Sequence, residues 1–304
     1  MNYPVLFVKS IIGFFYSVYS FLVYIFQLLG FLRVPKKSLK GQLALVTGAG
    51  RGLGREISIL LAKKGCTVAC VDINEEGCQE TVSIINRDFK LEAAKAYKAD
   101  VASREAWTEL AKQIAAQQGE VDILVNNAGI VASHSILEAS DDLIEKMFDV
   151  NLKSHFWSIR TFLPKMLKRN QGHICAISSI AAHTKAANMT TYAATKYGVT
   201  GLMENLRIEL KQMPNNNVKT TVVHPYFIDS SPINVKHWEV KTDLPSVSLQ
   251  DVARATVSGI QKNQHTVAYP FYVYALCLAV KCIPQPASDY WYESFQVELS
   301  DKKD

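Results

Sequence analysis

The sequence predicts an α/β protein, a doubly wound parallel sheet of seven strands with an N-terminal hydrophobic anchor helix ahead of it. Three observations predict it. Short apolar runs rich in β-branched residues alternate with longer amphipathic stretches from about Gln42 to Ile260, the pattern of strands paired in parallel through helical crossovers. A glycine-rich turn, Thr47-Gly-Ala-Gly-Arg-Gly-Leu-Gly54, joins the first run to the first amphipathic stretch. Ahead of both, Ser10 to Leu32 is 23 residues without a charge.

That uncharged run comes first in the chain. As a helix rising ~1.5 Å per residue it is roughly 34 Å long, enough for a hydrocarbon layer about 30 Å thick. Phe, Tyr, Leu, Ile and Val occupy its whole circumference, unlike a core helix with one apolar face. It exceeds the about 7–15 apolar residues of a secretory signal and ends in Leu-Leu-Gly-Phe-Leu-Arg, with no small-x-small cleavage site. Residues 1–34 are therefore expected to be a membrane anchor and 35–304 the globular domain, with Gly13 and Gly30 leaving open a full span or a hairpin in one leaflet. Residues 1–40 hold Lys9, Arg33, Lys36, Lys37 and Lys40 and no acid, which is the whole formal charge of +5. The other 28 basic residues balance 28 acidic ones. Four of the five cations follow the run, which places the globular domain in the cytosol and suits anionic headgroups. The balanced domain offers no basic face for nucleic acid.

Within the domain, Gln42 to Thr47 reads as the first strand and Arg55 to Lys64 as a helix closed by Gly65. Thr67 to Val71 is β-branched and apolar and ends at Asp72. The alternation then predicts helix 75–87, strand 95–99, helix 103–118, strand 121–126, one long helix over 141–168, strand 173–178, helix 191–211, strand 218–223 and helix 248–260. The connection 226–247 is long enough for a lid. Val267 to Val280, about 14 residues and too short to span a membrane, reads either as a core strand plus helix or as an amphiphilic wall facing a bilayer.

The cysteines at 66, 70, 78, 175, 277 and 282 show no C-x-x-C pairing and read as small core residues of a reducing compartment. His155, His173, His183, His224 and His237 lack the i, i+4 pairing with carboxylates of zinc hydrolases, so no metal is expected. The sequon Asn188-Met-Thr190 reads as coincidental in a cytosolic domain.

The glycine turn carries chemistry if it holds a dinucleotide. Gly48 permits the tight turn off the first strand, Gly52 and Leu53 open the helix where the backbone approaches a pyrophosphate, and Gly54 lets that helix pack closely on the sheet. The helix start offers free N–H groups and partial positive charge to the phosphates. Asp72 ends the second strand, placed to accept from adenosine ribose hydroxyls, and its charge repels a 2′-phosphate, which favours NAD. Arg51 favours NADP as the alternative.

Further on come Asn126-Asn-Ala-Gly129, then Ser179, then Tyr192-Ala-Ala-Thr-Lys196 thirteen residues later. A free phenol near pKa ~10 is a poor base at neutral pH. A lysine four residues on, one helical turn away, would stabilise the phenolate. By order and spacing, the chain from about Lys40 to about Gln261 resembles the short-chain dehydrogenase/reductase family, with its Rossmann sheet and Gly-x-x-x-Gly-x-Gly turn. The resemblance implies a nicotinamide-dependent oxidoreductase in which Tyr192 carries the proton, Lys196 tunes it, Ser179 holds the substrate oxygen and Asn151 links Lys196 to water. It further implies that Asp100 and Val101 contact adenine, and that Asn127, Ala128 and Gly129 line the cofactor. After the sixth strand, Pro225 and Ile228 are implied at the carboxamide and Ser230 supplies a hydroxyl. Tyr226 stands where many members have glycine, which puts that turn in question.

The anchor, the aromatic pair Tyr226-Phe227 and the apolar stretch 267–280 point to a lipophilic substrate. The arrangement resembles the membrane-anchored branch with retinol dehydrogenases and lipid-droplet 17-beta-hydroxysteroid dehydrogenases. That implies hydride transfer between the cofactor and a retinoid, steroid or long-chain alcohol, at the endoplasmic reticulum membrane or a lipid droplet. It also implies a homodimer formed through 141–168 and 191–211. The reading from another class is a membrane-tethered NAD-binding scaffold or sensor without turnover.

Overall fold

In a computed structural model of the chain, residues 12–15, 18–19, 23, 34–89, 92–229 and 244–294 are described in full, and 238–241 and 298–301 by their backbone. The chain divides into two compact units, Met1–Lys37 and Ser38–Asp304. Of the described residues of the first unit, 12–15, 18–19 and 23 are helical and 34–37 are in neither helix nor strand. The expected anchor thus lies mostly outside the described residues, and among those described no helix is long and apolar enough to cross a membrane.

The second unit carries a seven-stranded parallel sheet. Its strands are β1 (Leu43–Thr47), β2 (Thr67–Asp72), β3 (Ala94–Lys98), β4 (Ile123–Asn126), β5 (His173–Ile177), β6 (Lys219–Pro225) and β7 (Thr266–Tyr269). They run in the order β7-β6-β5-β4-β1-β2-β3. Helices connect them: α1 (Gly52–Lys63), α2 (Glu75–Asp88), α3 (Arg104–Gln117), α4 (Asp141–Phe148), α5 (Ser154–Lys168), α6 (Thr190–Gln212), α7 (Leu249–Gln261), α8 (Phe271–Lys281) and α9 (Gln285–Ser294).

Side-chain alternation along a strand explains the two layers. Ala44 and Val46 of β1 face one cluster with Ile57, Leu61, Val82, Ile85 and Val257 of α1, α2 and α7. Leu43 and Leu45 face the other, with Trp107, Ile114, Phe162, Met203 and Leu210 of α3, α5 and α6. Because both faces are covered, the strands read as continuous apolar runs. Each fully buried Leu or Ile stabilises the sheet by about 1.5–3 kcal/mol. Serine and asparagine caps fix the helix starts: Asn74 accepts from Gly77, Ser103 from Ala106, Ser140 from Leu143 and Ser248 from Asp251.

One expectation is corrected, and one of two alternatives is found. The single helix over 141–168 is two helices, α4 and α5, parted by a π turn over Asp149–Lys153. Its cause is Asn151, wholly buried, whose side chain turns away from the helix to pair with the Ile130 backbone; the extra residue of a π turn permits this. The stretch 267–280 forms a strand plus helix, since β7 pairs with β6 from Thr266–Val222 to Tyr269–Pro225 and α8 follows. The lid expected over 226–247 lies largely outside the described residues.

Candidate active site

In the sheet order β1 lies between β4 and β2, so the chain crosses over in opposite directions on either side of it. That switch point opens a crevice at the carboxyl ends of the strands. Here it is a cleft of about 1160 Å³, lined at one end by the glycine turn, Asp72 and Val101 and at the other by Ser179, Tyr192, Lys196 and Tyr226.

The turn is held from beneath by β4. Asn127 Nδ2 donates to the Thr47 carbonyl at 2.8 Å, while Asn127 N and Ala128 N donate to Thr47 Oγ1 at 2.9 and 3.0 Å. Gly48 needs its left-handed φ of +65°, which an L side chain resists. A Cβ on Gly54 would stand 2.1 Å from the Gly48 oxygen, so α1 rests directly on the turn. At Gly52, φ +56°, a Cβ would meet nothing within 4 Å, and the Arg51 side chain does not cap the helix. The first N–H groups of α1 are thus left to a ligand. Asp72 is oriented by Gly50 N and Asn74 N, each 2.9 Å from one carboxylate oxygen, which leaves lone pairs for ribose hydroxyls. These residues fit a dinucleotide.

At the other end, Tyr192 and Lys196 stand one turn apart on α6, the Lys196 Nζ 5.6 Å from the Tyr192 ring centre. Lys196 is 4% exposed and donates to the Ile177 carbonyl at 2.9 Å. Burial pushes its ammonium down to about 8. Burial also pushes the Tyr192 phenol up to about 12, while a hydrogen bond with Ser179 works the other way. The expected lowering of the phenol by the lysine does not appear; burial dominates, opposed by Ser179. Ser179 Oγ accepts from Ala181 N at 3.1 Å. Ser178, by contrast, donates its hydroxyl to the Lys196 carbonyl, 2.9 Å away, and its oxygen lies in hydrogen-bond contact with the Thr200 hydroxyl at 2.9 Å.

Nearly all the residues singled out from sequence line this one cleft: Gly48, Arg51, Gly52, Leu53, Asp72, Asp100, Val101, Asn127, Ala128, Gly129, Ser179, Tyr192, Lys196, Pro225, Tyr226, Phe227 and Ile228. Gly54 lies behind the turn. Asn151 does not reach Lys196 through its side chain, which is engaged by Ile130 N and O at 2.8 Å each and by Thr195 at 3.3 Å. Ser230 lies outside the described residues. Sequence reasoning passed over Thr47, although it opens the glycine turn. It passed over Arg55, which joins the Gly50 carbonyl to Thr81 and Glu80. It also left His155 to packing. That ring is 1% exposed, its Nδ1 has no hydrogen-bond partner among the described residues, and burial and then Lys196 hold it down to about 3.

A cleft with a glycine turn that fits a dinucleotide at one end and a buried tyrosine–lysine pair at the other suits a nucleotide-dependent oxidoreductase. The short chain dehydrogenase family model matches residues 42–241. The chain belongs to that family and is an NAD(P)-dependent oxidoreductase acting on CH–OH groups. It is 36% identical over 255 residues to "Short-chain dehydrogenase/reductase family 16C member 6" of Bos taurus, covering 83% of this chain and 80% of the relative. It is 34% identical to "Epidermal retinol dehydrogenase 2" of Mus musculus, over 82% of this chain and 81% of the relative. Retinol dehydrogenase 10 of Rattus norvegicus is 32% identical over 83% and 82% of the two chains. A short-chain dehydrogenase/reductase from Burkholderia phymatum, solved in complex with NAD, shares the fold with a TM-score of 0.71 at 23% identity, over 79% of this chain and 93% of its own. A metagenomic short-chain oxidoreductase in complex with NADP gives 0.63 at 26%, over 76% and 96%.

Proposed function

We propose that the protein is a membrane-associated dehydrogenase that interconverts a lipophilic alcohol, of the retinoid, steroid or long-chain class, and its carbonyl. The observation that carries the reading is the meeting of Ser179, Tyr192 and Lys196 in the cleft that also holds the glycine turn. The nicotinamide ring supplies or accepts the hydride when bound. Ser179 Oγ holds the substrate oxygen, and the Tyr192 oxygen takes its proton as the phenolate in oxidation, or gives one as the phenol in reduction. Lys196, kept cationic at neutral pH by its pKa of about 8, faces that hydroxyl and favours its anion. Asn151 positions this machinery by tying the turn between α4 and α5 to Ile130. Asp72, set to meet a ribose diol, supports NAD over NADP; the relatives solved with each nucleotide are consistent with either.

Two relatives bear the name retinol dehydrogenase, and Tyr226, Phe227 and Ile130 give this cleft apolar walls; both support a lipophilic substrate. The uncharged run 10–32 and its basic collar support an anchor over residues 1–34 at the endoplasmic reticulum or a lipid droplet. A homodimer through α4, α5 and α6 belongs to the same reading. The test is nicotinamide reduction by detergent-solubilised protein with NAD or NADP and all-trans-retinol, oestradiol or a long-chain alcohol, beside Tyr192→Phe. Turnover that vanishes in the variant while dinucleotide binding persists is expected. Turnover surviving in Tyr192→Phe would sink the role given to Tyr192, and the absence of turnover with every alcohol despite NAD binding would sink the reading in favour of a scaffold.

A further inference from the structure

Two histidines that the proposed chemistry leaves unused meet behind the substrate end of the cleft. His183 and His224 are 41 residues apart in sequence, with Nε2 and Nδ1 3.2 Å from each other. They are 7% and 1% exposed. Each belongs to the chain that makes one wall. His183 closes the short 3-10 turn Ile180–Ala182 that Ser179 begins, and His224 lies on β6 directly before Pro225 and Tyr226. His224 Nδ1 is also 3.4 Å from the Ser179 carbonyl oxygen.

The β5–β6 ladder ends at Ile177–Val223, with Ser178 N donating to the Val223 carbonyl at 2.8 Å. Past that rung the two chains part, and the histidine bond ties them again. The tie is backed by the C-terminal helices. Tyr274 of α8 meets His183 edge-on at 4.8 Å and stacks on His224 at 5.4 Å. The Tyr292 hydroxyl of α9 donates to the His183 carbonyl at 3.2 Å, and Lys185 pairs with Asp289 at 2.6 Å and lies over the Tyr292 ring. Burial keeps both rings neutral at physiological pH, down to about 4 for His183 and about 3 for His224. A neutral pair shares one N–H between the facing nitrogens, so the bond is directional; replacing His224 takes this partner from His183 Nε2, while replacing His183 leaves His224 Nδ1 only the longer contact to the Ser179 carbonyl.

We infer that the His183–His224 bond is a brace that fixes the Ser179 turn against the Tyr226–Ile228 wall and so sets the width of the gap that receives the alcohol. The two histidines are positioning residues, and the inference rests on Ser179 holding the substrate oxygen. The glycine cradle lies at the far end of the cleft and does not depend on them.

The experiment uses full-length protein in detergent with an alcohol it turns over. His183→Phe, His224→Phe, the double variant and His224→Asn are compared with wild type, and Ser179→Ala is the control. Asparagine places an amide nitrogen close to the position of Nδ1 and restores a donor. Each Phe variant is expected to lower kcat about tenfold or more, the scale of a sub-ångström misplacement of a reacting group, with the KM for NAD(P), held mainly by the glycine cradle and touched by this wall only at the carboxamide, changing by less than kcat does. The double variant should lose no more than the worse single variant, because both remove one bond, and His224→Asn should recover most of the loss. Additive losses, a cofactor KM that rises as far as kcat falls, or His224→Asn as poor as His224→Phe would overturn the brace. If a Phe variant fails to fold, the remaining Phe variant and His224→Asn decide by the same criteria. Full turnover in Ser179→Ala would instead remove the assignment of Ser179, a result separate from the histidine contrasts.

Discussion

Lys196→Met should make the protein more stable while ending turnover. The lysine is 4% exposed, and burial takes its pKa from 10.5 to about 8. Folding with the ammonium charged at pH 7 is therefore opposed by about 3 kcal/mol. Methionine fills a similar volume without a charge. It also gives up the 2.9 Å bond from Nζ to the Ile177 carbonyl, a loss of about 1 kcal/mol. The balance is a gain of about 2 kcal/mol at pH 7, or roughly 4–8 °C in melting temperature for a domain of this size. Between pKa values of about 8 and 10.5 the unfolded chain holds more protons on this lysine than the folded one, so wild type recovers stability as pH rises through that window. At pH 9 the opposition has fallen to about 2 kcal/mol, and the variant's advantage to about 1. The buried thiols and phenols titrate alike in both proteins and cancel in the difference. Urea unfolding without dinucleotide, at pH 7 and pH 9, measures it. A variant less stable than wild type at pH 7, or an advantage that does not shrink at pH 9, would refute the claim that the lysine is held charged against its desolvation.

Two other outcomes follow from the cradle. Gly54→Ala forces a Cβ to within 2.1 Å of the Gly48 oxygen, so α1 must shift by about 1 Å, at about 1–3 kcal/mol of stability; calorimetry should show NAD affinity down by about tenfold or more, and unchanged affinity would mean the turn is not rigid. Asp72→Ser removes the carboxylate that opposes a 2′-phosphate and should move the kcat/KM ratio toward NADP by about tenfold, with some lost stability because Gly50 N and Asn74 N lose their acceptor. An unaltered ratio would shift the discrimination to Arg51.

What the sequence made readable is what depends on neighbours in the chain. The turn from Gly48 to Gly54 and the one-turn spacing of Tyr192 and Lys196 are local, and local geometry follows from residue type. The structure adds what depends on partners far away. Nothing near Asn151 announces that its side chain will pair with Ile130 and open a π turn in an otherwise ordinary helical pattern. Strand β7 is four residues long and forms only because β6 offers an edge. The same division explains the electrostatics. Tyr-x-x-x-Lys spacing says that an ammonium faces a phenol, but it says nothing of how much water the fold removes from each. Burial raises the Tyr192 phenol and lowers the Lys196 ammonium, so in the protein alone neither ionised partner is favoured by its surroundings. The pair is therefore poised for whatever next enters the cleft. A group that brings positive charge or hydrogen-bond donors to the Tyr192 oxygen does more there than it would in water, because the low dielectric that disfavours the isolated ions also strengthens their attraction. Catalysis on this reading is set by what meets the Tyr192 oxygen, because burial alone leaves the phenol holding its proton.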